Sequence, residues 1–157
     1  MLANLLVVLL ALIAPKSGAA MCALTAADFK AVGVAGAAAK PAANVQDAGA
    51  STYCVYAGKS AATGGIELDV FNPAGSNRDE VMVTYVNAMG EAGAAGKPIK
   101  LAGADEARWA PAAVSGGPAY ALIGVRRGTV VFVVGIPAGK DAQAQLTKLA
   151  ALVLGRL

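Results

Sequence analysis

The chain reads as an α+β domain: an antiparallel sheet of about five strands packed against two or three helices, in the order α-ββ-α-βββ-α. Three observations predict this. In Ala119–Ile136 two β-branched and aromatic runs flank Arg127-Gly128, and the glycine supplies the positive φ of a tight hairpin turn. In Ile66-Glu67-Leu68-Asp69-Val70 apolar and acidic residues alternate, the signature of a strand with one face in the core. Two later stretches, Val81-Met82-Tyr85-Val86-Met89 and Leu146-Leu149-Ala150-Val153-Leu157, repeat apolar residues at helical spacing.

The chain has 157 residues, and its first twenty read as an export signal. Leu5 to Ala14 is an unbroken apolar run, Pro15 ends it, and Ser17-Gly18-Ala19-Ala20 offers the small residues that signal peptidase needs. The run is too short to span a bilayer, so no stable membrane insertion is expected once residues 1–20 are removed. Residues 21–157 then form a single domain in the periplasm or outside the cell. The formal charge of +3 includes Lys16 of the signal, and the remaining charges are scattered. No concentrated basic surface for nucleic acid is implied.

Two cysteines, Cys22 and Cys54, agree with export. An even count in an exported chain implies one disulfide between them. The competing reading is lipid attachment at Cys22, which Met21 disfavours because such sites prefer a small residue there.

In the mature chain Thr25-Ala-Ala-Asp28 is a capping box, and Leu24 with Phe29 has the spacing of a hydrophobic staple. A short helix to about Val32 follows, ended by Gly33 and Gly36. Ala35 to Ala50 has no sustained period and reads as a loop. Ser51–Ala57 and Ile66–Phe71 are the first two strands, with Ile66, Leu68 and Val70 inward and Glu67 and Asp69 in solvent. Between them Gly58-Lys59-Ser60 has the ending of a phosphate loop, but Tyr53 stands where that motif needs its first glycine. Ser76 or Asn77 caps the second helix, which ends at Gly90. Pro98 to Leu101 starts a further strand, Ser115 to Pro118 turns the chain into the central hairpin, and Asp141 caps the last helix.

The segment Asp105-Glu106-Ala-Arg108-Trp109 is the candidate binding site. It combines the only tryptophan with a fixed cation and two acids beside Gly103, and Trp and Arg concentrate at binding centres. The plainer reading is a turn with both acids in solvent that runs into a strand burying Trp109.

Histidine is absent, which excludes Ser-His-Asp and Cys-His arrangements and any imidazole metal site. Three acid pairs remain, Glu67 with Asp69, Asp79 with Glu80, and Asp105 with Glu106, each explained by a strand face, a cap or a turn. No catalytic residue, metal or cofactor is therefore assigned. Cys22-Ala-Leu-Thr-Ala-Ala-Asp28, Cys54-Val-Tyr56, Gly103-Ala-Asp-Glu-Ala107 and the Arg127-Gly128 hairpin together resemble small bacterial exported proteins and lipoproteins of unknown function. Some of these adopt PsbP-like or related α/β sandwiches. The resemblance implies a non-catalytic envelope domain that binds an unknown envelope protein or small ligand. Two other readings stand beside it: an inhibitor of a secreted hydrolase, favoured if Arg108 and Trp109 share an exposed loop, and an enzyme working through carboxylates.

Overall fold

The computed structural model describes residues 22–46, 51–58, 65–71, 96–112 and 120–157, excluding the side chains of residues 45, 46 and 112. The expected signal 1–20, the helix from Ser76 to Gly90 and the Ser115 to Pro118 turn lie outside these residues. Within them the elements are α1 (Ala26–Ala31), β1 (Ala42–Gln46), β2 (Ser51–Ala57), β3 (Ile66–Phe71), β4 (Lys97–Pro98), β5 (Glu106–Ala112), β6 (Tyr120–Arg127), β7 (Val130–Pro137) and α2 (Ala142–Arg156).

All seven strands form one sheet in the order β1-β2-β3-β7-β6-β5-β4, and every neighbouring pair is antiparallel. The α+β class holds; the expected five strands and their order do not. The described residues run α-βββ-ββββ-α. The two extra strands are the sheet's edges. β1 falls in the stretch read as a loop, because Ala-Ala-Asn-Val-Gln has weak β-propensity and no alternation, and pairing with β2 overrides both. β4 holds only Lys97 and Pro98, so the strand expected to start at Pro98 ends there.

β7 lies at the centre, as its apolar run requires, and Val131 to Ile136 are buried on both faces. Its partner β6 registers Arg127 against Val130, so the two-residue turn is Gly128-Thr129, one residue later than expected. Gly128 has φ +58°, the left-handed region that a tight hairpin turn demands.

The helices share one face of the sheet. α2 packs on β6 and β7 through Leu146, Leu149, Ala150 and Val153, and Leu154 joins the buried set while Leu157 is only partly buried. Asp141 occupies the N-cap position of α2 but its side chain makes no capping bond. α1 has the full capping box, with Thr25 and Asp28 bonding each other's backbone amides. Leu24 and Phe29 are both buried as a staple predicts, and the Phe29 ring meets Tyr56 of β2 at 4.8 Å. Tyr56 also sits at a bulge: Val55 faces Glu67 and Ala57 faces Ile66, leaving Tyr56 as the extra residue.

A disulfide joins Cys22 to Cys54 in β2, closing a 32-residue separation and tying the N-terminal arm to the sheet. The Cys22 thiol is consumed by that bond, so the same chain cannot carry a lipid on it. Disulfides persist in oxidising compartments, which fits a protein outside the cytoplasm. Among the described residues no helix is long and apolar enough to cross a membrane.

Candidate functional site

Opposite the helices the sheet presents a second face. Its middle is apolar, with Ala110, Leu122, Val131 and Val133 buried and Phe71 and Tyr120 packed against them. Polar groups stand to either side. On β2 and β3 they form a cluster, because the register sets Tyr53 directly opposite Asp69 and Glu67 lies two residues from Asp69 on the same face. The Tyr53 hydroxyl donates diagonally across the two strands to Glu67 Oε2 at 2.7 Å.

This arrangement corrects the expectation that Glu67 and Asp69 lie in solvent. Both are partly buried, and Asp69 Oδ1 is shut off from water with no hydrogen-bond partner among the described residues. Burial, with the neighbouring Glu67 charge adding to it, pushes the Asp69 carboxyl up to about 7. Near neutrality it therefore exchanges between an acceptor and a donor. Burial and the bond to Glu67 push the Tyr53 phenol well above its ordinary range, so it stays protonated and keeps donating.

Asp69 lines a cleft of about 210 Å³ together with Ser51, Thr52, Tyr53 and Phe71. The two rings supply an apolar wall, Ser51 and the Asp69 carboxyl supply polar contacts, and the volume suits a small solute or a single inserted side chain. Among the described residues no three metal-ligating side chains converge.

The segment 105–109 is dispersed by its strand. Asp105 is exposed before β5, accepts from the Gly128 amide at 2.6 Å and pairs with Arg126 at 3.2 Å, which makes it a brace for the β6–β7 turn. Glu106 and Arg108 share the second face of β5 as an ion pair at 3.1 Å, and Arg108 also donates to the Gly96 carbonyl. Trp109 alternates to the helix side, opposite Ile123, and is partly buried, its indole N–H without a partner among the described residues. Arg108 and Trp109 are thus adjacent in sequence and on opposite faces. Asp105 and Glu106 do line a shallow groove of about 440 Å³ with Ile99, Lys100 and Leu101.

The sequence presents Asp69 only as one of an acid pair on a strand face and does not mark Tyr53 or Phe71, although one signal for a covered face is present. A central strand that is apolar on both faces needs cover on both faces, so the acids of its neighbour β3 share a covered face too. No protein-family model, no curated protein and no solved structure matches the chain.

Proposed function

We propose that this protein is an exported, non-catalytic binding domain of the bacterial envelope that takes a small polar group of its ligand into the cleft between Tyr53, Asp69 and Phe71. The observation that carries this reading is the cleft itself, in which the half-buried Asp69 carboxyl group lies beside Ser51 and the rings of Tyr53 and Phe71. The ligand class is a small molecule, or a projecting side chain, with a hydrogen-bonding head and an apolar body that lies against the rings of Tyr53 and Phe71. The disulfide supports the export half of the reading, as does the apolar leader with its small-residue end. The likeness to exported lipoproteins with PsbP-like sandwiches belongs with the same reading.

One observation favours a second reading as a carboxylate-dependent enzyme: Glu67 and Asp69 stand together with Asp69 held near neutrality, the pattern in which one acid donates a proton while another stays charged. The inhibitor reading loses its support, since Arg108 and Trp109 share no exposed loop.

Ligand fishing separates these readings. Immobilised wild-type protein and an Asp69→Ala variant are exposed to envelope extract, and the released small molecules are identified by mass spectrometry. A compound retained unchanged by the wild type and lost from the variant supports binding. A compound released in altered form supports the enzyme. Identical retention by both proteins removes the cleft from the account.

A further inference from the structure

We propose that the group taken into the cleft between Tyr53, Asp69 and Phe71 is a primary ammonium on an apolar body. The inference rests on the binding reading above and adds the charge of the ligand. Charge around the cleft points one way. Asp69 lies in its wall, and Glu67 stands two residues along β3 on the same face. Among the described residues that line the cleft there is no lysine or arginine, although the chain as a whole carries a formal charge of +3. The arginines of this sheet face are engaged elsewhere. Across the register Arg108 lies three strand spacings from Asp69, roughly 14 Å, beyond Val133 and Gly124. It is paired there with Glu106 at 3.1 Å. Arg126 lies two spacings from Phe71, roughly 10 Å, and is paired with Asp105 at 3.2 Å.

The contacts on offer are those an ammonium uses. It is a donor-only group, and the Asp69 carboxylate and Ser51 hydroxyl both accept. The rings of Tyr53 and Phe71 line the same cleft, where an aromatic ring attracts a cation and receives an apolar body. A carboxylate ligand would meet Asp69 and Glu67 as like charges, and a neutral hydroxyl gains weaker bonds than a charged donor. An ammonium also settles the protonation of Asp69. Among the described residues Tyr53 faces it from β2 with a phenol that stays protonated, Glu67 adjoins it on β3, and β7 sets only Val133 opposite. Free Asp69 is therefore divided between acid and anion near neutrality, and a bound cation draws it to the anion and releases the proton. The same ammonium chemistry occurs on a free amine and at the end of a lysine side chain, and the test distinguishes the two.

Amide chemical-shift titrations of the disulfide-intact protein with phenethylammonium, phenethyl alcohol and hydrocinnamate, probes of similar shape and different charge, test the proposal. The ammonium is expected to shift the amides of Ser51, Tyr53, Asp69 and Phe71 at about a tenth of the concentration that the alcohol requires, and the carboxylate to leave them in place. Asp69→Asn keeps the shape and removes the charge, so it should weaken the ammonium about tenfold and leave the alcohol as it was. In the wild type the ammonium affinity should fall by about tenfold or more from about pH 8 to about pH 5, as Asp69 takes up its proton at about 7, and the variant should show no such slope. Acetyl-lysine methylamide, protonated at its side chain, assigns the source: tighter binding than phenethylammonium supports a lysine head, weaker binding a free amine. Equal binding of the alcohol or the carboxylate, or an ammonium affinity that Asp69→Asn does not lower, overturns the proposal and leaves the cleft as a binding site. An ammonium that shifts none of these amides overturns it as well, and the binding reading then stands or falls on neutral and acidic ligands.

Discussion

Arg156 at the end of α2 grips Asp28 of α1 through two bonds, 2.6 and 2.9 Å, across 128 residues of chain. The same guanidinium donates to the Ala23 carbonyl, and Asp28 also accepts from Thr25. With the Cys22–Cys54 bond and the Phe29–Tyr56 contact, this locks the N-terminal arm to both the sheet and the C-terminal helix. Arg127 adds a parallel device, donating from β6 to the Leu154 carbonyl at 2.7 Å where α2 runs out of intrahelical donors.

Removing Asp28 breaks a capping box and a two-pronged ion pair together. Asp28→Ala should destabilise the fold by about 1–2 kcal/mol, discounted for the partial exposure of Arg156. The Arg156 bond, helped by Thr25, holds the Asp28 carboxyl well below the usual carboxylate range. Its folded pKa is depressed, so its stabilisation is complete above the unfolded value of about 4 and fades as pH falls below it. Denaturation titrations at descending pH should show that loss in the wild type and not in Asp28→Ala.

Asp69 works in the opposite direction. Its folded pKa of about 7 lies above the unfolded value, so between about pH 4 and 7 the folded state holds a proton that the unfolded state has released. Stability should therefore fall as pH rises through that window and level off above it. Asp69→Asn should remove the decline and exceed the wild type by up to about 4 kcal/mol above about pH 8, with little difference near pH 4. Urea midpoints measured across the range check this. A variant less stable than the wild type at high pH would mean that the carboxylate has a partner in the fold.

The disulfide should contribute about 3 kcal/mol for a loop of this length. Cys54→Ala should lower the unfolding free energy by roughly that amount. Thiol titration of unreduced, denatured protein should find no reactive thiol.

The ion pair of Glu106 with Arg108 is partly exposed, and removing both residues should cost at most about 1 kcal/mol. If the cleft on β2 and β3 is the site, the double variant Glu106→Ala with Arg108→Ala keeps full ligand capture. Asp105→Ala should cost more than the double variant, because it strips the Gly128 amide and Arg126 of their acceptor. Calorimetric melts alongside the capture assay distinguish the two effects.

What could be read in the residues, and what could not, follows the range of the interactions. Thr25 and Asp28 signal their capping box three residues apart, Ile66, Leu68 and Val70 announce their buried face by alternation, and Gly128 marks its turn, because each effect is local. β1 carries no local signal, because Ala42 to Gln46 form a strand only by virtue of β2 beside them. For Asp69, alternation tells only that it points away from one core. Its burial also depends on a strand that follows much later, β7, which sets Val133 directly opposite Asp69. Trp109 and Arg108 looked like one patch because they are neighbours in sequence, whereas strand pleating sends neighbours to opposite faces.

The most direct test of the binding cleft is amide chemical-shift mapping of the nitrogen-15-labelled protein against a library of small polar fragments with apolar bodies. The account predicts that binding fragments shift the amides of Ser51, Thr52, Tyr53, Asp69 and Phe71 together, and that Asp69→Ala abolishes those shifts while leaving the rest of the spectrum in place. Fragments that instead shift Lys100 to Ala107, or that shift the 51–53 and 69–71 amides equally in Asp69→Ala, would contradict it.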